Sequence, residues 1–214
     1  MSTKAATITI VMMLILSFLV ALVLYPIMPD PMPSHWNAQG EVDGYMSKFW
    51  GMFLMPLITL GIVLLFLAIP RIDPLKANIA LFIDSYNIMM VAFVAYMLYI
   101  YALTLLAALG YGFNMTHMLL PAMGVLFIII GFLIGKAKRN FFIGIRTPWT
   151  LSSDTVWAKT HQLGKWTFMG AGAISILCVL LGEVGFWIMM ITLMAAAFVP
   201  IVYSYLLWKR ENPA

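Results

Sequence analysis

Charged residues are scarce in this chain of 214 residues: aspartate, glutamate, lysine and arginine make up 9% of it, against 64% for hydrophobic residues. Soluble domains carry roughly 25% charged residues, so the composition excludes a soluble domain and indicates a lipid bilayer as the main solvent. Cysteine is rarer still: Cys178 stands alone in an apolar run, which excludes a disulfide framework within the chain. The predicted fold class is all-α, because helices satisfy their own backbone hydrogen bonds inside a membrane.

Long runs without charge predict where the helices cross the membrane. A helix needs about 20 apolar residues to span roughly 30 Å of hydrocarbon. The run 85–135 is too long for one crossing, and Gly-Tyr-Gly-Phe-Asn at 110–114 supplies a turn, so this run is divided in two. Six spans are predicted, at residues 5–27, 49–69, 82–109, 117–135, 165–182 and 185–208.

Lysine and arginine predict the orientation. If the chain crosses six times, eleven of its 12 basic residues fall on one side of the membrane and Lys48 alone on the other. Cytoplasmic loops carry the excess of these residues, so both termini are predicted to lie in the cytoplasm of a multi-pass cell-membrane protein. The net charge of +4 then reflects topology, and no nucleic-acid partner is predicted.

The loop between the first two spans, residues 28–48, is predicted to fold into a compact structure on the outer membrane surface. Its prolines favour an extended exit from the membrane. Asn-Ala-Gln-Gly at 37–40 and Asp-Gly at 43–44 are typical turn sequences.

The functional interpretation of this loop brings polar side chains together in one small site. Histidine can ligate a metal or carry protons, and Asp43 can orient His35. Two ligands eight residues apart are too few for zinc, so neither a metal nor a cofactor is predicted. An ion pair between Asp43 and Lys48, a hydrogen-bonded structural loop and a partner-contact surface are the alternatives. The candidate outer-loop site comprises His35, Asn37, Gly40, Asp43 and Lys48.

The loop before the third span holds two carboxylates. Asp73 is predicted to cap a helix that has Pro74 at its first position. Asp84 would then lie two to three turns into that helix, near the inner interface, where a carboxylate needs a partner. A salt bridge with Arg146 is the expected solution, and a proton relay is the alternative.

The connector at 136–164 begins with Lys136, Lys138 and Arg139, an inner anchor that anionic lipid would attract. Ser152 is predicted to cap a short amphipathic helix on the cytoplasmic side. Asp154 falls in its first turn, where a negative charge is favourable.

In that short helix, Trp157, Thr160, His161 and Gly164 follow i, i+3, i+4, i+7 spacing and share one face. Gly164 is expected to close the helix. One interpretation is a helix lying at the inner membrane interface. The other is a docking platform for a cytoplasmic partner or an anion, in which Arg146 and Trp149 join Trp157 and His161.

Three function classes fit a chain of this kind. A small transporter or channel places ionisable residues deep in its spans. Here the only polar side chains in the middle of the spans are hydroxyls, and no charged residue lies there. An intramembrane enzyme needs a catalytic motif, and neither His-Glu-x-x-His nor Gly-x-Ser-x-Gly occurs in the sequence. The third class is a non-enzymatic signalling protein, and the residues alone support only a membrane protein with two specialised loops on opposite sides of the membrane.

Two stretches resemble the SdpI family of membrane immunity proteins. Residues 33–44, with Lys48, are similar to the family's N-terminal membrane domain of unassigned function. The C-terminal signature of the family resembles residues 140–151, 157, 160–161 and 164. The resemblance covers the whole chain and implies a single six-helix membrane domain at 1–214. Within it, an N-terminal family region at 1–70 and a C-terminal region at 117–208 are expected.

The resemblance also implies a function. A family member protects its producer from a secreted antimicrobial toxin, and in the best-known system it holds a small repressor at the membrane. The outer loop would face an extracellular peptide or protein toxin, and the inner connector would face the repressor. The cytoplasmic partner site is expected to comprise Asn140, Gly144, Arg146, Thr147, Pro148, Trp149, Trp157, Thr160, His161 and Gly164.

Overall fold

A computed structural model describes residues 1–212. Over this range the chain forms eight α-helices and one two-stranded antiparallel sheet. The elements are α1 (Thr3–Leu24), β1 (Met32–Trp36), β2 (Val42–Met46), α2 (Lys48–Ile72), α3 (Lys76–Ala80), α4 (Ile83–Ala108), α5 (Met115–Ile134), α6 (Pro148–Ser152), α7 (Asp154–Cys178) and α8 (Gly182–Glu211).

Five continuous helical segments among the described residues are long and apolar enough to cross a membrane. The last, Asp154–Glu211, has 58 residues. It turns back at Val179–Leu181 and Gly182, where Gly182 has a φ of +56°, so that α7 and α8 pack against each other. The protein is therefore an all-α polytopic membrane protein. The number of crossings and the side on which the termini lie stay predictions, and the names outer and inner below follow the predicted orientation.

The bundle consists of two groups of three long helices. The first group is α1, α2 and α4, the second is α5, α7 and α8, and the groups meet where α4 contacts α5. In the second group α5 crosses α7 at two glycines: a Cβ atom on Gly124 would lie 2.5 Å from the carbonyl oxygen of Gly172, and the reverse distance is also 2.5 Å. Helices approach this closely only where both residues are small.

The beginning of α7 differs from the prediction. The first three turns do form the expected amphipathic helix, but the prediction that Gly164 ends it is wrong, because α7 continues to Cys178. Gly164 packs against the side chains of Ile134 and Ile145, and a Cβ atom there would lie 2.4 Å from Ile145. The capping residue is Ser153 instead of Ser152, since Ser153 Oγ accepts from the Val156 N–H at 3.2 Å.

Asp73 also has a different role from the predicted one. It ends α2, and the next long helix begins ten residues later, at Ile83. The Asp73 carboxylate accepts hydrogen bonds from the N–H groups of Leu75 (2.6 Å) and Phe141 (2.9 Å). It thereby ties the end of α2 to the connector between α5 and α6, a tertiary contact that a capping pattern does not reveal.

Candidate functional site

The outer loop folds as a β-hairpin, which we call the outer hairpin (residues 32–46). Its turn is the predicted one at 37–40: Asn37 N–H donates to the Glu41 carbonyl at 2.9 Å, and Asn37 Oδ1 accepts from the Glu41 N–H at 3.0 Å. Gly40 closes the turn with a φ of +81°, a conformation that side-chain-bearing residues rarely adopt. The turn predicted at Asp43-Gly44 is wrong, because both residues lie in β2.

His35 and Asp43 face each other across the hairpin, with 2.5 Å between His35 Nδ1 and Asp43 Oδ1. Gly44 is paired with His35 at a register shift, and a Cβ atom on Gly44 would lie 2.9 Å from His35 Cβ. The two side chains remain open to solvent, at 73% exposure for His35 and 42% for Asp43. They form a hydrogen-bonded polar pair on the surface of the hairpin.

Lys48 does not join this pair. Of the alternatives for this loop, the ion pair between Asp43 and Lys48 does not form: Lys48 Nζ donates to the Tyr25 carbonyl at 3.1 Å and lies 5.1 Å from the centre of the Tyr25 ring. The Lys48 N–H also donates to Asp30 Oδ1 at 3.1 Å. The five predicted residues of the outer loop thus divide into an exposed pair, a turn and an anchor at the start of α2.

The outer hairpin is fastened to the start of α5 by residues that sequence reasoning missed. Asn114 Nδ2 donates to the Gln39 carbonyl at 2.5 Å, and Thr116 Oγ1 donates to the Ala38 carbonyl at 3.1 Å. The Met115 N–H donates to the Gly40 carbonyl at 3.2 Å. Asn114 is also the cap of α5, which is the signal that could have placed it.

Asn140 organises the first part of the inner connector (residues 135–153). It is fully buried: its Oδ1 accepts from the N–H groups of Phe142 (2.9 Å) and Ile143 (2.6 Å), and its Nδ2 donates to the carbonyls of Lys138 (2.8 Å) and Ile143 (2.9 Å). One amide side chain therefore supplies partners to four backbone groups, two of which, those of Ile143, would otherwise be buried without them.

Trp157 and His161 hold the connector against α7. Their rings stack with 3.9 Å between centroids, and Trp157 Nε1 donates to the Ala137 carbonyl at 2.9 Å. His161 Nε2 accepts from the Ile145 N–H at 3.0 Å, and Nδ1 donates to the Trp157 carbonyl at 2.8 Å. Because Nε2 is an acceptor, the ring is neutral and its proton is on Nδ1. Gly144, with a φ of +108°, lies directly against His161 Nε2.

A capping box begins α6. Thr147 and Thr150 exchange hydrogen bonds between side chain and backbone, at 3.1 Å and 2.9 Å, with Pro148 at the first helical position. Thr147 Oγ1 also bonds Ser204 Oγ of α8 at 3.0 Å. Sequence reasoning missed Thr150, although Thr-x-x-Thr before a short helix was the available signal. Trp149 packs against Tyr205, with ring centroids 5.0 Å apart, and Thr160 is fully buried.

Arg146 and Pro148 are the exposed members of the predicted inner site, and Arg146 is the charged one. Its Nη1 donates to the Phe141 carbonyl at 2.9 Å, and the Phe141 side chain beside it is 46% exposed. The predicted salt bridge between Arg146 and Asp84 is wrong, because Asp84 lies 3.7 Å from the amino group of Met1. Elsewhere on this surface Arg139 Nε pairs with Asp154 at 3.0 Å.

Comparison with known proteins gives family matches that include both the outer hairpin and the inner connector. The profile of the SdpI/YfhL protein family matches residues 136–204, and the profile described as Domain of unknown function (DUF1648) matches residues 12–60. The protein named Immunity protein SdpI of Bacillus subtilis (strain 168) is 31% identical over 199 residues, 92% of this chain and 93% of that protein.

The chain belongs to the SdpI/YfhL family. Within this SdpI/YfhL protein, the first profile covers the inner connector from residue 136, all of α7, and α8 as far as residue 204, and the second includes the outer hairpin. No solved structure matches the chain.

Proposed function

We propose that this chain is a membrane immunity protein that protects its cell from a secreted antimicrobial toxin, which it recognises through the outer hairpin. The observation that carries the proposal is the exposed His35–Asp43 pair on a hairpin held firmly to the bundle. Polar groups presented on a rigid support are suited to recognition, because little ordering is required when a partner binds. The relationship to the Bacillus subtilis immunity protein supports the same function.

The inner connector is proposed as the site that retains a cytoplasmic repressor at the membrane. Most residues of the predicted cytoplasmic partner site are buried, including three at the start of α7: Trp157 is 3% exposed, His161 2% and Thr160 0%. They shape the connector, and contact with a partner falls to the exposed Phe141 and Arg146 on its surface. An apolar ring beside a guanidinium is the composition that protein interfaces favour.

A toxin challenge tests the outer part of the proposal. A sensitive host expresses the full chain, and survival is compared for wild type, His35→Ala, Asp43→Ala and the control Glu41→Ala at equal membrane abundance. The side chain of Glu41 is exposed on the same hairpin, and only its backbone takes part in the turn. We expect the highest toxin concentration that the host survives to fall about ten-fold in the first two variants. This is the effect of losing one charge-assisted hydrogen bond to the toxin.

Equal protection by all four proteins would contradict recognition by this pair. For the inner part, Phe141→Ala and Arg146→Ala are expected to keep full protection while releasing the repressor from the membrane fraction. Loss of protection in those two variants would contradict the separation of the two roles.

A further inference from the structure

A polar groove opens between α3, α5 and α7 at the inner end of the bundle. We call it the inner groove. It consists of two adjoining cavities of about 580 Å³ and 490 Å³, which share Leu81, Gly135, Lys136 and Lys138. Volumes of this size are in the range of small-molecule sites, roughly 300–1,000 Å³. Asn78 and Gln162 both line the larger cavity.

The charges along the groove leave two lysines available. Asp154 is paired with Arg139 at 3.0 Å, and Asp84 is paired with the amino group of Met1 at 3.7 Å. Within residues 1–212, Lys136 and Lys138 have no carboxylate partner, and both are exposed. The two lysines that both cavities share are therefore available to an anion, and each of the two carboxylates of the groove lies beside a cation.

The chemistry of these groups indicates an oxyanion. Ammonium groups bind phosphate as point charges, and a carboxamide on the wall adds a neutral donor. Gln162 is exposed and makes no hydrogen bond among the described residues, so its amide is available, whereas the Asn78 amide already donates to the Arg139 carbonyl at 2.7 Å. Basic pockets of this kind between membrane helices accommodate lipid head groups.

Two exposed apolar side chains favour a lipid over a free anion. Leu81, 71% exposed, lines both cavities. Phe132, 43% exposed, lies one turn before Lys136, whose Nζ is 5.8 Å from the centre of its ring. An acyl chain descending from a head group in the groove would lie along such residues, and a free phosphate would gain nothing from them.

We propose that the inner groove binds the phosphate group of an anionic phospholipid, with Lys136 and Lys138 as the charged ligands and Gln162 as a donor. The site is separate from the outer hairpin and from the surface formed by Phe141 and Arg146. It gives the inner connector a lipid contact at the point where α5 ends.

Native mass spectrometry of the detergent-purified full-length chain tests the proposal. Phosphatidylglycerol and phosphatidylcholine with identical acyl chains are titrated onto wild type, the double variant Lys136→Gln/Lys138→Gln and the control Lys4→Gln/Lys209→Gln. The control removes the same charge from two exposed lysines on the same predicted side. We expect wild type to bind phosphatidylglycerol more tightly than phosphatidylcholine, with about a ten-fold loss in the double variant and less than about a two-fold loss in the control.

Equal binding of the two lipids by wild type, or equal losses in the two double variants, would overturn the site. A third arm adds inorganic phosphate: if it displaces phosphatidylglycerol at similar concentration, the lipid is overturned as the occupant and a free phosphate takes its place. Circular dichroism of the groove variant is expected to match wild type, since both lysine side chains are exposed.

Discussion

The outer hairpin exposes its His35–Asp43 pair, whereas the predicted inner site, which spans the inner connector and the start of α7, buries most of its polar side chains. His35 is 73% exposed, while Asn140, Thr160 and His161 are at most 2% exposed. The inner side chains are bonded to the backbone of the connector itself or packed within it, so their identity fixes a loop conformation. The residues of a family signature can thus be required because they fold a loop into one shape. The residues that contact a partner are then exposed neighbours of the signature residues.

The largest effect on stability is expected at Asn140, and it would sharpen the contrast between the buried inner site and the exposed outer pair. Asn140→Ala removes four hydrogen bonds to backbone groups, two of them buried and two partly buried, and should lower the free energy of unfolding by about 4 kcal/mol. Unfolding in mixed micelles measures it, with Phe141→Ala as the control because that side chain is half-exposed. If the two variants were equally stable, the scaffold role of Asn140 would be refuted.

Gly144 comes next. Gly144→Ala places a methyl group at a φ of +108° and 2.4 Å from His161 Nε2, and we expect a loss of about 3 kcal/mol from backbone strain and overpacking. Gly110→Ala is a matched control, since Gly110 has a φ of +86° with nothing within 4 Å of the added atom. The same micelle titration separates strain, common to both variants, from the contact with His161. A Gly144 variant no less stable than the Gly110 variant would argue against that contact.

A smaller effect is expected at Trp157. Trp157→Phe keeps an aromatic ring against His161 but removes the Nε1 donor to Ala137, at a cost of about 2 kcal/mol including the lost volume. Thermal unfolding is compared with Trp166→Phe, where the side chain is 58% exposed. Equal shifts in the two variants would mean that the hydrogen bond contributes nothing.

The smallest effect on stability is expected in the outer hairpin. His35→Ala should change the free energy of unfolding by less than about 0.5 kcal/mol, because polar pairs exposed to solvent contribute little. A large loss measured by the same micelle titration would break the comparison, since the pair would then be part of the scaffold.

The long helices could be predicted from the sequence, because a charge-free run in a membrane has few alternatives to a helix. Observed α2 (Lys48–Ile72) and α4 (Ile83–Ala108) begin within one residue of the predicted spans 49–69 and 82–109. The shared face of Trp157, Thr160, His161 and Gly164 was equally accessible, because helical spacing alone determines it. All four of these residues are buried.

The pairing of side chains could not be predicted from the sequence in the same way. Asp43 pairs with His35 and not with Lys48 because the hairpin register brings β1 and β2 together, and a register depends on strand pairing that the turns only partly specify. Asp84 pairs with Met1, which is distant in sequence and close only after α1 packs on α4. Such partners are products of tertiary packing, so a local pattern cannot name them.

The fastening of the outer hairpin to Asn114 and Thr116 has a mechanical consequence. These residues begin α5, a helix of 20 residues and about 30 Å, which ends at Ile134 where the inner connector starts. The two motif-bearing regions are thus attached to opposite ends of one continuous helix. A second connection runs through α2, which begins just after the hairpin and whose end is bonded to the connector through Asp73, so the hairpin and the connector share two helical supports.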